Sequence, residues 1–177
     1  MVHMDQRRAC VITCSDRAHA QVYEDRSGPI LREGLVGLGF VVDAPVIVPD
    51  EMDEIRAAIL AAVDAGARVV ITTGGTGIGP RDVTVAATKP LLDQEIPGIG
   101  EAIRAKGAAK IPLAWLSGGV AGVVRRGSSA VVINVPGSRG GARDALEVLS
   151  PLLGHLVDQL DGGDHPMDPV PGRPSQA

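Results

Sequence analysis

Apolar residues along the chain follow two periodicities, which predict strands and helices in alternation. Short runs rich in β-branched residues have the length and composition of strands: residues 9–14, 40–48, 69–73 and 129–135. Elsewhere apolar residues recur at helical spacing: residues 27–39, 52–66, 83–92, 97–106 and 142–160. Pro151 predicts a kink or break in the last helix, because proline cannot donate a backbone hydrogen bond.

This order of elements is typical of an α/β protein with a mainly parallel sheet. The glycine-rich segment 111–124 is compatible with a strand, a buried turn or a short helix. A chain of 177 residues can form one domain with a sizeable core, which we expect at residues 8–163. We expect residues 1–7 to be a flexible N-terminus and the proline-containing residues 164–177 to be a disordered tail.

The strand at residues 69–73 ends in residues 74–82, here called the glycine loop. Its chemistry lies in Gly74, Gly75, Gly77, Gly79, Arg81 and Asp82. Glycines let backbone N–H groups approach an anion. Arg81 can add a fork of donors, and Asp82 can bind a hard cation or accept a hydrogen bond. The alternative is a tight strand-to-helix turn with a solvated Arg-Asp pair, and the spacing matches neither a P-loop nor the standard dinucleotide fingerprint.

Polar residues also follow the other predicted strands. Ser15, Asp16 and Arg17 follow the first strand, either as ligand contacts or as a helix cap with a solvated arginine. Asp50 follows the second strand, where capping of the next helix is favoured over binding of a metal ion.

A second glycine-bearing turn follows the strand at residues 129–135. It consists of Pro136, Gly137 and Ser138, while Ser117 in the ambiguous segment can be a ligand contact or a cap. The carboxyl ends of parallel strands share one edge of a sheet, so these groups can converge on one cleft. Such a cleft would supply backbone donors, arginines and carboxylates, as a magnesium-nucleotide site requires.

Composition excludes several classes of partner. The formal net charge is −4 and there is one Phe, one Tyr and one Trp, which argues against nucleic-acid binding. The chain has no apolar signal segment and no run of about 18 apolar residues, so we expect a soluble, cytoplasmic protein without a membrane partner. Cys10 and Cys14 would point to one face of a strand, roughly 13 Å apart, too far for a disulfide. We interpret them as core thiols, with a metal pair or reactive thiol as the alternative.

These motifs resemble the MoaB/Mog family of molybdenum-cofactor biosynthesis proteins, whose domain also occurs in gephyrin and plant Cnx proteins. The signature is the sequence TTGGTG at residues 72–77, followed after four residues by Asp82. Supporting matches occur in the same order over roughly residues 8–163: segments 15–17, 23–29, 48–51, 96–98, 116–117, 121–123 and 134–138. The resemblance implies a three-layer αβα sandwich of the molybdopterin-binding type, usually a homotrimer.

The activity implied by the resemblance is adenylylation of molybdopterin. Mg-ATP would donate AMP to the terminal phosphate of the pterin and release pyrophosphate, before a downstream partner inserts molybdate. Asp50 and Asp82 would be the essential carboxylates and would assist Mg²⁺. The substrate-binding residues implied by the match are Ser15, Asp16, Arg17, Thr73, Gly74, Gly75, Thr76, Gly77, Arg81, Ser117, Pro136, Gly137 and Ser138.

Two positions depart from the family pattern. Many relatives carry arginine where this chain has Gly118, and glycine where it has Gln21. The first change removes an anchor for phosphate or pterin, for which Arg17, Arg81, Arg139 or Lys89 could substitute. Two other functions are compatible with the same motifs: a non-catalytic molybdopterin carrier and a hydrolase of nucleotide pyrophosphates.

Overall fold

A computed structural model describes residues 7–163. Its strands are β1 Arg8–Cys14, β2 Val41–Val42, β3 Val46–Val48, β4 Ala67–Thr73, β5 Gln94–Glu95, β6 Ala121–Val124 and β7 Ala130–Val135. Its α-helices are α1 Asp16–His19, α2 Ser27–Gly37, α3 Met52–Asp64, α4 Thr84–Thr88, α5 Pro97–Ala108, α6 Arg139–Leu149 and α7 Leu153–Leu160. Short 3₁₀ helices occupy Lys89–Leu91 and Pro112–Leu116. The predicted tail at 164–177 and nearly all of the predicted N-terminal segment lie outside the described residues.

The strands form one seven-stranded sheet in the order β2-β1-β4-β7-β6-β5, with β3 also paired to β1. Strands β1, β2, β3, β4 and β7 run parallel. Strands β6 and β5 add an antiparallel edge. The predicted α/β class with a mainly parallel sheet is therefore confirmed, and the carboxyl ends of β1, β3, β4 and β7 lie at one edge.

Apolar side chains cover both faces of the sheet, because successive residues of a strand point to opposite sides. In β4, Val69 and Ile71 pack with α2, α5, α6 and α7, whereas Val70 packs with α3 and α4 on the other face. Cys10 and Cys14 are free and face the second of these cores together. The three layers predicted from the family resemblance are present. No helix of the described residues has both the length and the hydropathy needed to span a membrane.

The structure corrects the predicted elements at three places. Residues 40–48 form two short strands rather than one, interrupted around Pro45, which has no N–H to donate. The helix predicted at 83–92 is only α4 followed by a 3₁₀ turn. Segment 111–124 is a 3₁₀ helix followed by strand β6. The break predicted at Pro151 is present between α6 and α7.

Candidate functional site

The edge of the sheet formed by the carboxyl ends of the parallel strands carries a cavity of about 480 Å³, here called the polar cavity. It is lined by nine residues that the sequence singled out: Ser15, Asp50, Thr73, Gly74, Gly75, Arg81, Asp82, Gly137 and Ser138. Polar lining residues beyond those predicted include Thr13, Asp25 and Ser27, and Arg139, one of the four candidates for the missing anchor, lines the cavity as well. The convergence expected for parallel strand ends is therefore present.

Two positions of the glycine loop require glycine. Gly74 has φ +95°, and a Cβ there would lie 2.4 Å from the carbonyl oxygen of Cys14. Gly75 has φ +65°, and its Cβ would lie 2.2 Å from Thr84 Oγ1. Both the left-handed backbone and the close approach exclude larger side chains. The loop can therefore turn tightly at the end of β4, where Thr73 is fully buried.

Not every amide of the glycine loop is available to a ligand. Gly74 N donates to Val135 O at 3.0 Å, and Gly79 N donates to Asp82 Oδ2 at 2.9 Å. The expectation that all four glycines offer free N–H groups is therefore wrong for these two. The amides of Gly75, Thr76 and Gly77 donate to no oxygen of the described residues. Three consecutive free N–H groups can bind an anion such as phosphate.

Asp50 and Asp16 form a reciprocal pair across the ends of β3 and β1. The backbone N of Asp16 donates to Asp50 Oδ2, and the backbone N of Asp50 donates to Asp16 Oδ1, both at 2.9 Å. The expectation that Asp50 caps the following helix is wrong, since Glu51 is the N-cap residue of α3 and no side chain caps that terminus. Ser15, in contrast, does cap α1 by accepting a hydrogen bond from Ala18 N.

One oxygen of the Asp50 carboxylate has no partner. Oδ1 is buried and forms no hydrogen bond with the described residues, and it lies 3.3 Å from the position of a Cβ on Gly75. Burial raises the pKa of Asp50, and the negative charges of Asp16 and Asp82 raise it further against the opposing hydrogen bond from the Asp16 amide. An unsatisfied carboxylate oxygen is costly unless a cation or donor arrives.

Arg81 is held by two carboxylates. Its guanidinium contacts Asp16 through Nε–Oδ2 at 3.0 Å and Nη2–Oδ1 at 3.1 Å, and Nη2 also lies 3.0 Å from Glu51 Oε1. The backbone amide of Asp50 and the Arg81 guanidinium lower the pKa of Asp16. Arg81 lines the polar cavity, but in this arrangement it fixes the Asp16–Asp50 pair and reaches a phosphate only by exchanging a carboxylate partner.

A second cavity, of about 530 Å³, lies on the other side of the glycine loop and is here called the apolar cavity. Its apolar walls come from α5, the 3₁₀ helix Pro112–Leu116 with the residue before it, and the glycine loop. They are formed by Ile78, Ile103, Ile111, Leu113, Ala114 and Leu116. Seven predicted residues also line it: Thr76, Gly77, Gly79, Asp82, Ser117, Pro136 and Ser138. Ser117 Oγ donates to Thr76 Oγ1 at 3.0 Å, which ties the 3₁₀ helix to the glycine loop.

Asp82 and Ser138 line both cavities. Asp82 is exposed, and one of its oxygens accepts the Gly79 amide. Ser138 caps α6 by accepting a hydrogen bond from Gly141 N at 2.9 Å. These two residues therefore mark a junction at which molecules bound in the two cavities can meet.

Three charged residues of the apolar cavity were missed by sequence reasoning. They are Arg104, Lys110 and Asp144. Arg104 Nη1 donates to the carbonyl oxygens of Ser117 and Gly119, at 3.3 and 2.9 Å. This places a guanidinium beside Gly118, the position at which the family resemblance leads us to expect arginine. No motif marks these residues, because they lie on α5, just after α5 and on α6, and reach the cavity only through the fold.

The remaining predicted positions lie outside the cavities. Arg17 is exposed and lines neither of them, and Lys89 pairs with Glu95 at 3.5 Å. Gln21 has φ +57° and is the one non-glycine of the described residues in the left-handed region. Glycine, which the family resemblance leads us to expect there, adopts that backbone without strain. A Cβ at Gly118 would make only ordinary contacts, the nearest at 3.6 Å to Thr76 O.

The carboxylates of the polar cavity suit a Mg²⁺ ion that takes most of its ligands from substrate and water. They do not suit a metal ion that is enclosed by protein ligands alone. Within residues 7–163 no group of three or more His, Cys, Asp or Glu residues could hold a metal ion. Mg²⁺ is commonly held by one or two carboxylates with the rest of its shell from phosphates and water. The bare Oδ1 of Asp50, with Asp82 in the same cavity, suits that pattern.

A family model described as "Probable molybdopterin binding domain" matches residues 10–155 of this chain. The chain belongs to the MoaB/Mog family. MoaB/Mog structures have the same fold: the Mog protein from Mycobacterium ulcerans is 42% identical with a TM-score of 0.81 and coverage of 87% of this chain and 99% of that chain. The tungsten cofactor synthesizing protein MoaB from Pyrococcus furiosus is 36% identical with a TM-score of 0.82 and coverage of 88% and 98%.

Curated relatives of this MoaB/Mog chain include single-function and bifunctional proteins. The molybdopterin adenylyltransferase of Pyrococcus furiosus is 40% identical over 149 residues, 83% of this chain and 87% of that protein. A molybdenum cofactor biosynthesis bifunctional protein of Chlorobaculum tepidum is 39% identical over 158 residues, 89% of this chain. The chain spans about half the length of the bifunctional relatives, 50% in Chlorobaculum tepidum and 48% in Synechococcus elongatus.

Proposed function

We propose that this MoaB/Mog protein transfers AMP from Mg-ATP to molybdopterin during molybdenum-cofactor biosynthesis. The observation that carries the proposal is the junction at Asp82 and Ser138, which both cavities share. A transfer between two bound molecules requires their reacting atoms to meet in one place while their other parts are held separately. Relatives named molybdopterin adenylyltransferase support this reaction, including that of Escherichia coli at 36% identity.

We assign the polar cavity to the nucleotide and the apolar cavity to the pterin. The polar cavity contains Arg139 and the hydroxyls of Thr13, Ser15 and Ser27, which suit phosphates and a ribose, and Arg81 can join them by exchanging a carboxylate partner. The apolar cavity has aliphatic walls that suit a flat ring system. The free amides of Gly75, Thr76 and Gly77 lie between the two, in position for phosphates of either substrate.

The chemistry requires little of the protein beyond orientation and neutralisation of charge. A terminal phosphate oxygen of molybdopterin forms a bond to the α-phosphorus of ATP, the bond from that phosphorus to the bridging oxygen breaks, and pyrophosphate leaves. The attacking oxygen is already anionic, so no Ser-His dyad is needed. The loop amides and the N-terminus of α6 can stabilise the extra negative charge on the phosphorus oxygens.

Asp50 and Asp82 are the residues that would hold Mg²⁺ in this proposal. The ion supplies neutralisation of phosphate charge when it is bound. The Asp16 amide donates to the Asp50 carboxylate, and the Arg81 guanidinium holds the side chain of Asp16. The proposal extends to a homotrimer, to one domain at residues 8–163 and to a downstream partner that inserts molybdate, all of which rest on the family resemblance alone.

The test is incubation of the purified protein with molybdopterin and Mg-ATP. The adenylylated pterin is detected by mass spectrometry. We expect product that requires the pterin, magnesium and Asp82, and a loss of at least about 100-fold in rate for Asp82→Asn. Asp43→Asn is the matched control, because Asp43 pairs with Arg8 away from both cavities. Pterin binding without any adenylylated product would indicate a carrier, and hydrolysis of dinucleotides without pterin would indicate a hydrolase.

A further inference from the structure

A buried carboxylate lies in the wall of the apolar cavity. Asp144, on α6, has only 7% of its side chain exposed, and its Oδ1 lies 2.6 Å from Nζ of Lys110, just beyond the end of α5. This contact and the charge of Asp144 raise the pKa of Lys110, so the ammonium stays protonated. Oδ2 accepts no hydrogen bond from the described residues and lies 3.8 Å from the position of a Cβ on Gly107.

A purely structural role does not account for this pair. A second ion pair, Lys106–Glu147, already links α5 and α6, and there both side chains are well exposed. A carboxylate taken out of water is costly, and Lys110, which keeps 60% of its side chain exposed, only partly offsets that cost. A nearly buried acceptor in a cavity whose walls include six aliphatic side chains indicates a ligand with matching donors.

The pair presents three polar atoms in the order acceptor, acceptor, donor: Asp144 Oδ2, Asp144 Oδ1 and Lys110 Nζ. The pyrimidine edge of a pterin presents the complementary order of donor, donor, acceptor, from its 2-amino group, N3–H and O4. Adenine places an unprotonated ring nitrogen beside its amino group, which a carboxylate repels. The pair therefore distinguishes the two ring systems that the proposed reaction brings to this protein.

We infer that Asp144 and Lys110 select the pterin by binding its 2-amino-4-oxo edge in the apolar cavity. This inference rests on the proposed function, because it concerns the specificity of the same site. Ile111, Leu113 and Leu116 provide apolar surface against the ring. All three are substantially exposed without a ligand, so the ring would remove their surface from water.

The test compares two small probes, pterin and its 2-oxo analogue lumazine, with the full chain. Trp115 is the one tryptophan of the sequence and lies in the 3₁₀ helix whose neighbouring residues border the cavity, so its fluorescence reports binding. We expect the wild type to prefer pterin by at least about tenfold, since lumazine places an oxygen opposite a carboxylate. Asp144→Asn offers an amide that can donate to that oxygen, so its preference should disappear or reverse.

Glu147→Gln is the matched control. It breaks the other ion pair between α5 and α6 without touching the cavity, so it should keep the wild-type preference. A wild type that binds both probes equally, or that binds neither at millimolar concentration, would overturn the inference. An unchanged preference in Asp144→Asn would do the same. The adenylylation assay with molybdopterin is run in parallel, so that a failure of this inference is distinguished from a failure of the proposed function.

Discussion

The two cavities on either side of the glycine loop are built in different ways. The polar cavity is formed by the ends of parallel strands, where backbone amides and short polar side chains converge by topology. The apolar cavity is formed by helices and a 3₁₀ segment packed beside the antiparallel edge of the sheet. In the proposed function, this difference assigns the phosphates to the strand ends and the ring to the helical side.

The largest expected effect comes from damaging the glycine loop on the polar side. Gly75→Ala places a methyl group 2.2 Å from Thr84 Oγ1 in a left-handed backbone. We expect a loss of about 1–3 kcal/mol in the free energy of unfolding and at least a 100-fold loss of adenylylation, with pterin binding weakened much less. Urea unfolding and the mass assay measure the two effects.

Gly98→Ala controls for the added methyl group. Gly98 lies in α5, and a Cβ there meets no atom within 4 Å. Equal losses of pterin binding and nucleotide binding in folded Gly75→Ala protein would contradict the separation of the cavities.

The next largest effect is expected from a substitution in the wall of the apolar cavity, and it should change molybdopterin binding alone. Leu116→Ala removes part of the aliphatic wall, and the lost contact should raise the KM for molybdopterin by about fivefold, while the KM for ATP and kcat stay close to wild type. Leu38→Ala is the control, since Leu38 is also partly exposed but lines neither of these cavities. A rise in the KM for ATP in Leu116→Ala would contradict the assignment.

The pH dependence of the free energy of unfolding tests the environment of Asp50 in the polar cavity. Burial raises its pKa in the folded state, so its contribution to stability is present below the ordinary pKa of about 3.9 and is lost as the pH rises through the folded value. Asp50→Asn has no such titration. It should therefore become increasingly more stable than the wild type as the pH rises from about 4 to 7, as measured by urea unfolding without metal.

The same urea unfolding experiment is repeated with magnesium and nucleotide. If Asp50 and Asp82 hold Mg²⁺ with nucleotide, adding Mg-ATP should stabilise the wild type more than Asp50→Asn and reduce or reverse the difference. An Asp50→Asn protein that is less stable than the wild type at neutral pH would show that the carboxylate is satisfied in the folded state.

The smallest expected effect lies outside both cavities. Gln21 occupies a left-handed backbone, so Gln21→Gly should raise the free energy of unfolding by about 0.5–1 kcal/mol and leave both substrate affinities unchanged. The adjacent Ala20 has φ −77°, so Ala20→Gly should lower stability instead. A change in either KM on Gln21→Gly would place this loop in the site.

The difference between the cavities also explains what the sequence could predict. Strands β4 and β7 were recognised because both faces are buried, which makes their apolar runs continuous. Strand β5 was missed because Gln94 and Glu95 are exposed and carry no apolar signal. The polar cavity was largely predicted, since its residues directly follow strands in the sequence.

The apolar cavity could not be assembled from the sequence in the same way. Lys110 and Asp144 are 34 positions apart and belong to no motif, and a charged residue on an amphipathic helix, as Asp144 is, is normally solvated. The reciprocal hydrogen bonds of Asp16 and Asp50 were equally invisible, because they depend on the spacing of β1 and β3 in the sheet. Contacts between distant elements are fixed by packing, which local patterns do not encode.

The most direct test of the account is whether both substrates bind at once. Molybdopterin affinity is measured by calorimetry with Mg²⁺, in the absence and presence of saturating α,β-methylene-ATP, which cannot transfer AMP. Two cavities that meet at Asp82 and Ser138 predict a ternary complex, with a Kd for molybdopterin that is unchanged within about threefold or tighter. Mutually exclusive binding, with the apparent Kd rising in proportion to the nucleotide concentration, would contradict the assignment of separate cavities to the nucleotide and the pterin.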